Sequence, residues 1–311
     1  MYAEISRNKR DTFLLFIVFF FLLMALGAAF GFVIGGFSSL GIGGAVIGLV
    51  LASLLAIVLT VVQYYNGDKL ILAVSKAKPV EHNQYPFLDN TVEGLAIAAG
   101  VPKPKLYVME ENSPNAFATG RDPQHASICV TTGLLKSMNR LELESVIGHE
   151  MSHIKNFDIR YMMIISVLVG VVILLADWMW RFAFVSSHNN NDNKGGGAII
   201  VIAIVLAILA PIFAQIIRMA VSRRREYLAD ADGALLTRYP EGLASALEKI
   251  HKDPDPLVDS ANKATAHLFI ANPMRNVSGT VSHWFSTHPP VEERIARLRG
   301  MPGMQKPVEK K

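Results

Sequence analysis

Four apolar stretches constrain what this chain can fold into. They run from about Phe13 to Phe32, Ile42 to Val62, Tyr161 to Trp180 and Ala198 to Ile217. A bilayer core of about 30 Å is crossed by roughly 20 helical residues, and a helix satisfies its own backbone polar groups there. The chain is 51% hydrophobic and 18% charged, whereas a soluble domain is about 25% charged. The expected fold is mainly α with a small β-sheet: a four-helix membrane anchor carrying a water-soluble unit.

Charge sets the topology. Arg7, Lys9 and Arg10 precede the first stretch, and Lys69, Lys76 and Lys78 follow the second. Lys155 and Arg160 precede the third, and Arg218, Arg223, Arg224 and Arg225 follow the fourth. The positive-inside rule then places both termini and residues 63–160 in the cytoplasm, against the inner face of a lipid bilayer. The connection at 181–197, rich in Asn189, Asn190, Asn191 and Asn193, falls outside as a linker, with Trp178 and Trp180 at the outer interface. The net charge of +4 belongs to these flanks and to anionic lipid, so no nucleic-acid partner is expected. Gly27, Gly31 and Gly35, with Gly44 and Gly48, either let two helices approach closely or reflect the ordinary glycine content of membrane helices.

The soluble residues divide into short elements. Residues 88–100 read as an amphipathic helix stopped by Gly100 and Pro102, and 105–109 as a strand. Two more strands, 115–120 and 126–132, are joined through Gly120, Asp122 and Pro123. A helix starts at Asn139, and 242–251 and 291–299 read as further helices. The expected organisation is two membrane helices (13–62), a first catalytic part (63–160), a membrane hairpin (161–217) and a second catalytic part (218–311).

Residues 149–153 read His-Glu-Met-Ser-His. Positions i and i+4 share a helix face, so His149 and His153 can grip one Zn²⁺ while Glu150 faces its water. Catalytic zinc takes three protein ligands and leaves a position open. The chain has one cysteine, Cys129, which reads as a core residue, so the remaining ligand is a histidine or a carboxylate. Positions 156 and 159 are Asn and Ile, which excludes a third histidine close downstream. Glu226 and Asp230, four apart, supply a ligand and a partner for the far nitrogen of a ligand histidine. The competing role for Glu226 is an ion pair with a nearby arginine. His153 lies eight residues before the third stretch and Glu226 nine after the fourth. Straight helices would therefore carry both about 12–14 Å beyond the same membrane face.

These segments, with Asn-Ala-Phe-Ala-Thr-Gly at 115–120 and Thr-His-Pro-Pro at 287–290, resemble the HtpX-type heat-shock family of bacterial membrane zinc proteases. That family is akin to the CaaX prenyl proteases. The resemblance implies a zincin-like, glutamate-liganded catalytic domain with one Zn²⁺ per chain, held by His149, His153 and Glu226, and Glu150 as the catalytic carboxylate. It implies a multi-pass protein of the bacterial inner membrane with a cytoplasmic site, acting on unfolded or damaged membrane proteins under stress. His288 is then either an oxyanion donor or part of a structural turn. Asn115, Ala116 and Phe117 lie either on an edge strand to which substrate adds or on a core hairpin. Three other functions fit less well. A prenyl protease has more membrane helices, a metal-holding scaffold would lack Glu150, and a transporter would carry ionisable groups within its spans.

Overall fold

A computed structural model of the chain describes residues 2–36, 42–170, 223–254, 265–271 and 289–301. Two long helices open it, α1 (Tyr2–Gly36) and α2 (Ile42–Val74), and both contain spans long and apolar enough to cross a membrane. Apolar side chains point outward along both, including Phe13, Phe21, Val46, Leu51, Leu54 and Val58, the opposite of a water-soluble helix pair. Their crossing is built on glycine. A Cβ on Gly27 would lie 2.5 Å from Gly48 O, and one on Gly31 2.1 Å from Gly44 O. The small residues thus serve close helix approach.

Helix α2 runs twelve residues beyond the expected end at Val62. Gln63, Asn66, Asp68 and Lys69 end the apolar run without ending the helix. Buried Gln63 is satisfied there by donating from Nε2 to Ile164 O at 2.8 Å.

The soluble elements follow as β1 (Lys78–Pro79), α3 (Pro86–Ala99), β2 (Lys105–Met109), β3 (Ala116–Gly120), β4 (Ala126–Thr131), α4 (Thr132–Ser137) and α5 (Arg140–Lys155). Residues 158–170 form a helix, α6. Then come α7 (Arg223–Thr237), α8 (Pro240–Lys252) and α9 (Val291–Arg299). The fourth apolar stretch, the Asn-rich connection and His288 lie outside the described residues. Of the third stretch, 161–170 is described, and Tyr161, Met163, Ile164 and Leu168 are buried.

The four strands form one mixed sheet in the order β1-β2-β4-β3. β2 and β4 are parallel, and the outer strands are antiparallel to their neighbours. Side chains alternate across it with period two, and the alternation separates two cores. Leu106, Val108, Ala116, Ala118, Ile128 and Val130 pack with α3, α5, α7 and α8. Met109, Phe117 and Cys129 pack on the other face, with residues of α1, α2 and α6. The sheet therefore lies between α3, α5, α7 and α8 on one face and the long apolar helices with α6 on the other.

Helix α5 begins at a capping box: Glu142 N donates to Asn139 Oδ1 at 2.9 Å, and Asn139 N donates back to Glu142 Oε2 at 2.8 Å. Glu142 also accepts from Ser245 Oγ and Lys249 Nζ, both at 2.6 Å, which ties α8 to the same cap. From Leu143 to Ile154, all but Glu144 are buried. Leu141, in the first turn, is 39% exposed.

Candidate active site

The metal motif lies in the last turns of α5, and α7 crosses it at a glycine contact. A Cβ on Gly233 would stand 2.8 Å from His149 N and 3.0 Å from Gly148 C. That closeness brings Glu226, two turns upstream on the same face of α7, against the histidines. One ligand atom from each of His149, His153 and Glu226 lies within 4.8 Å of the others, and all three residues are buried.

The atom pairs show what fits between them. The two Nε2 atoms are 3.2 Å apart. Glu226 Oε2 lies 3.8 Å from His149 Nε2, and Oε1 lies 3.6 Å from His153 Nε2. Tetrahedral zinc with bonds of about 2.0–2.1 Å needs ligand atoms about 3.3 Å apart. The far nitrogens face carboxylates: His149 Nδ1 is 3.0 Å from Asp230 Oδ1, and His153 Nδ1 is 3.0 Å from Asp158 Oδ2. A carboxylate only accepts, so His153 Nδ1, bonded to Asp158, carries its hydrogen and its Nε2 turns a lone pair inward; His149 Nδ1 lies near Asp230 but is not aligned with it as a hydrogen bond. Three converging acceptors need a proton or a cation among them, so the residues fit a metal ion.

Electrostatics separates the roles further. Burial drives the His149 imidazole below its ordinary pKa, against the pull of Asp230. Burial works the same way on His153, but its bond to Asp158 and the charge of Glu226 outweigh it and raise the imidazole to about 9. Glu150, 1% exposed, is pushed up to about 7 by burial, opposed first by the charge of His153 and, least, by the Ala118 N–H, both of which stabilise the carboxylate. Its Oε1 accepts no hydrogen bond among the described residues, which leaves that oxygen to a reacting group.

Two polar partners had gone unrecognised. Arg294 on α9 is fully buried and forks onto Asp230, Nε to Oδ2 at 2.8 Å and Nη2 to Oδ1 at 2.7 Å. Its Nη1 donates to Ile270 O at 2.8 Å and lies 3.5 Å from Glu226 Oε2. The arginine beside Glu226 thus comes from another helix and sits together with the histidines. Arg294 was detectable in the sequence as the one charge on an apolar stripe of Val291, Ile295 and Leu298. Asp158 carried no such mark, because it comes alongside His153 only where Phe157 turns the chain at φ 61°.

Strand β3 borders the site as the sheet's outer strand. Ala116, Ala118 and Gly120 face away from β4, as the bond from Ile270 N to Ala116 O at 3.0 Å shows. Asn115 uses Nδ2 on Ala271 O at 3.0 Å and Oδ1 on Ala116 N at 3.1 Å. Phe117 stacks edge-on against Phe269 in the core nearer the membrane helices.

Two imidazoles and a carboxylate gathered in a buried cluster, with a further carboxylate beside them, are the donor set of a metallopeptidase, here in a chain that opens with two helices of membrane length. The chain belongs to peptidase family M48, whose profile matches residues 83–302. It is 45% identical over 310 residues to a protease HtpX homolog of Dictyoglomus turgidum, covering 99% of this chain and 97% of the relative. It is 44% identical to one of Tropheryma whipplei over 301 residues, 97% of this chain and 98% of that one. Among solved structures it resembles S. mikatae Ste24p, with 20% identity and a TM-score of 0.47, over 79% of this chain and 57% of that one.

Proposed function

We propose that this chain is a zinc-dependent integral-membrane endopeptidase that cleaves unfolded or damaged membrane proteins. The convergence of His149, His153 and Glu226 around one point supports the reading best. Zn²⁺ held there would supply the Lewis acidity that activates water and polarises the scissile carbonyl. Glu150 takes the proton of the attacking water and passes it to the leaving amine. A carboxyl titrating at about 7 suits that transfer at neutral pH. Asp230 and Asp158 hold the two imidazoles in the ligating tautomer, and Arg294 keeps Asp230 ionised and aimed. A substrate segment adds along β3 through the Ala118 carbonyl and Gly120, where main-chain bonds give affinity with little dependence on sequence.

The placement of lysine and arginine supports four spans in a bacterial inner membrane, with the site and both termini cytoplasmic. The likeness to HtpX-type proteases supports a stress-linked role in membrane-protein quality control. The test uses detergent-purified chain stripped by a chelator, then given zinc and an unfolded polypeptide. Wild type should cleave it, and Glu150→Gln should bind zinc yet cleave at least about a hundredfold more slowly. Equal cleavage by both would overturn the mechanism.

A further inference from the structure

A side chain from the opposite end of the sequence reaches the metal site. Asn8 lies on α1, ahead of its apolar run, and is 2% exposed. Its Nδ2 donates to Asn156 O at 2.8 Å and to Asp158 Oδ1 at 2.6 Å. Its Oδ1 accepts from Arg225 Nε at 3.0 Å. Asn156 is the C-cap of α5, Asp158 holds His153 through its other oxygen, and Arg225 immediately precedes Glu226. One amide thus joins the end of one ligand helix to the start of the other. Both hydrogens of its nitrogen are engaged and its oxygen faces a cation, so neither aspartate nor a flipped amide reproduces the pattern.

Neighbouring contacts keep α1 in place. Arg225 Nη2 pairs with Asp11 Oδ2 at 3.3 Å, and its guanidinium lies 4.0 Å from the centre of the Tyr161 ring. Lys9 Nζ sits 4.6 Å from the centre of the Phe157 ring, at the turn between α5 and α6. Membrane attachment alone requires none of these contacts.

We propose that Asn8 is a positioning residue of the metal centre: it fixes Asp158, and through it the His153 imidazole, while holding the Arg225–Glu226 end of α7 in register. The first helix is thereby a component of the site as well as an anchor. The inference rests on the zinc reading above, and its test separates the two.

Full-length chain in one detergent is titrated with Zn²⁺ against a chromophoric chelator, and the visible spectrum of its Co²⁺ form is recorded. Asn8→Asp, nearly isosteric, sets an acceptor against the acceptors of Asn156 and Asp158. It should weaken zinc binding about tenfold, within the usual range for partners of metal ligands, and shift the Co²⁺ bands. Adding Asp158→Asn restores an amide facing a carboxylate. The double variant should therefore bind zinc more tightly than the product of the two single effects predicts. Phe13→Ala, on the outward face of the same helix, should bind as wild type does. If Asn8→Asp does not fold, Asn8→Ala is compared in the wild-type and Asp158→Ala backgrounds, and its cost should be smaller in the second, leaving the part carried through Arg225. Wild-type affinity and spectrum in the folded Asn8 variants, or strictly multiplicative losses, would overturn this inference alone. Failure of wild type to take up one Zn²⁺ per chain would overturn the zinc reading, and the inference with it.

Discussion

Replacing Gly233 by alanine tests whether the crossing of α5 and α7 sets the geometry of the metal site. The added Cβ would stand 2.8 Å from His149 N and 3.0 Å from both His149 Cα and Gly148 C. All three are backbone atoms, so no change of rotamer relieves them. Ordinary contact begins near 3.4 Å, so α7 must retreat from α5 by about 0.5 Å in a close-packed interior. Glu226, seven residues upstream on the same face, moves with it. Its distances to the two imidazoles, now 3.6 and 3.8 Å, would then exceed about 4 Å, while metal bonds tolerate only about 0.2 Å. Zinc affinity should fall at least about tenfold, and overpacking should cost about 1–3 kcal/mol of stability. Gly94 on α3 is the matched control, since a Cβ there meets nothing within 4 Å. Alanine at that helical position should be neutral or stabilise by up to about 1 kcal/mol. Chelator competition and thermal melting on both variants give the readouts. Wild-type zinc affinity and melting temperature for Gly233→Ala would refute the argument.

Other predictions follow from the same contacts. Arg294→Met leaves Asp230 and Glu226 as buried charges without their cation; it should cost about 3–5 kcal/mol by chemical denaturation. Arg294→Lys should recover only part of that loss, because an ammonium cannot fork onto a carboxylate. Zinc binding must displace the proton that His153 holds up to about pH 9, so apparent affinity should rise about tenfold per pH unit from 7 to 8.5. In the chelated protein the sign reverses: charged His153 contributes stability that is complete below about 6.5 and lost as pH rises through about 9, which denaturation at stepped pH would show. Gly31→Leu drives a side chain into Gly44 O, 2.1 Å from the Cβ position, and should lower the melting temperature in detergent and expose the helix pair to protease.

Much of this arrangement was legible because local chemistry dictated it. Asn139 followed three residues later by Glu142 marks a helix start, and the capping box forms there. Gly100 ends α3 in the left-handed conformation at φ 71°, and the three longer strands lie where β-branched and small residues alternate. His149, His153 and Glu226 lie together, while the flank-length argument runs through a hairpin outside the described residues. What escaped depends on contacts distant in sequence. β1 is two residues long and exists only by pairing with β2. Asp158 is brought to His153 by a reversal at Phe157, a residue type that rarely takes positive φ. Asn8 is 148 to 217 positions from its partners, and nothing in its surroundings separates it from an ordinary membrane-flanking polar residue.

The bond between Ile270 and Ala116 limits what the sheet margin can accept. With the Ala116 carbonyl held by Ile270 and its N–H by Asn115, an incoming polypeptide finds a dead end there. With the Ala118 N–H committed to Glu150, a substrate strand added there as proposed would pair through the Ala118 carbonyl and Gly120. A guest strand gripped over so few residues gains little from length or composition. Selection would then fall on whether a segment can be pulled straight at all, a property that intact helices lack and damaged ones acquire.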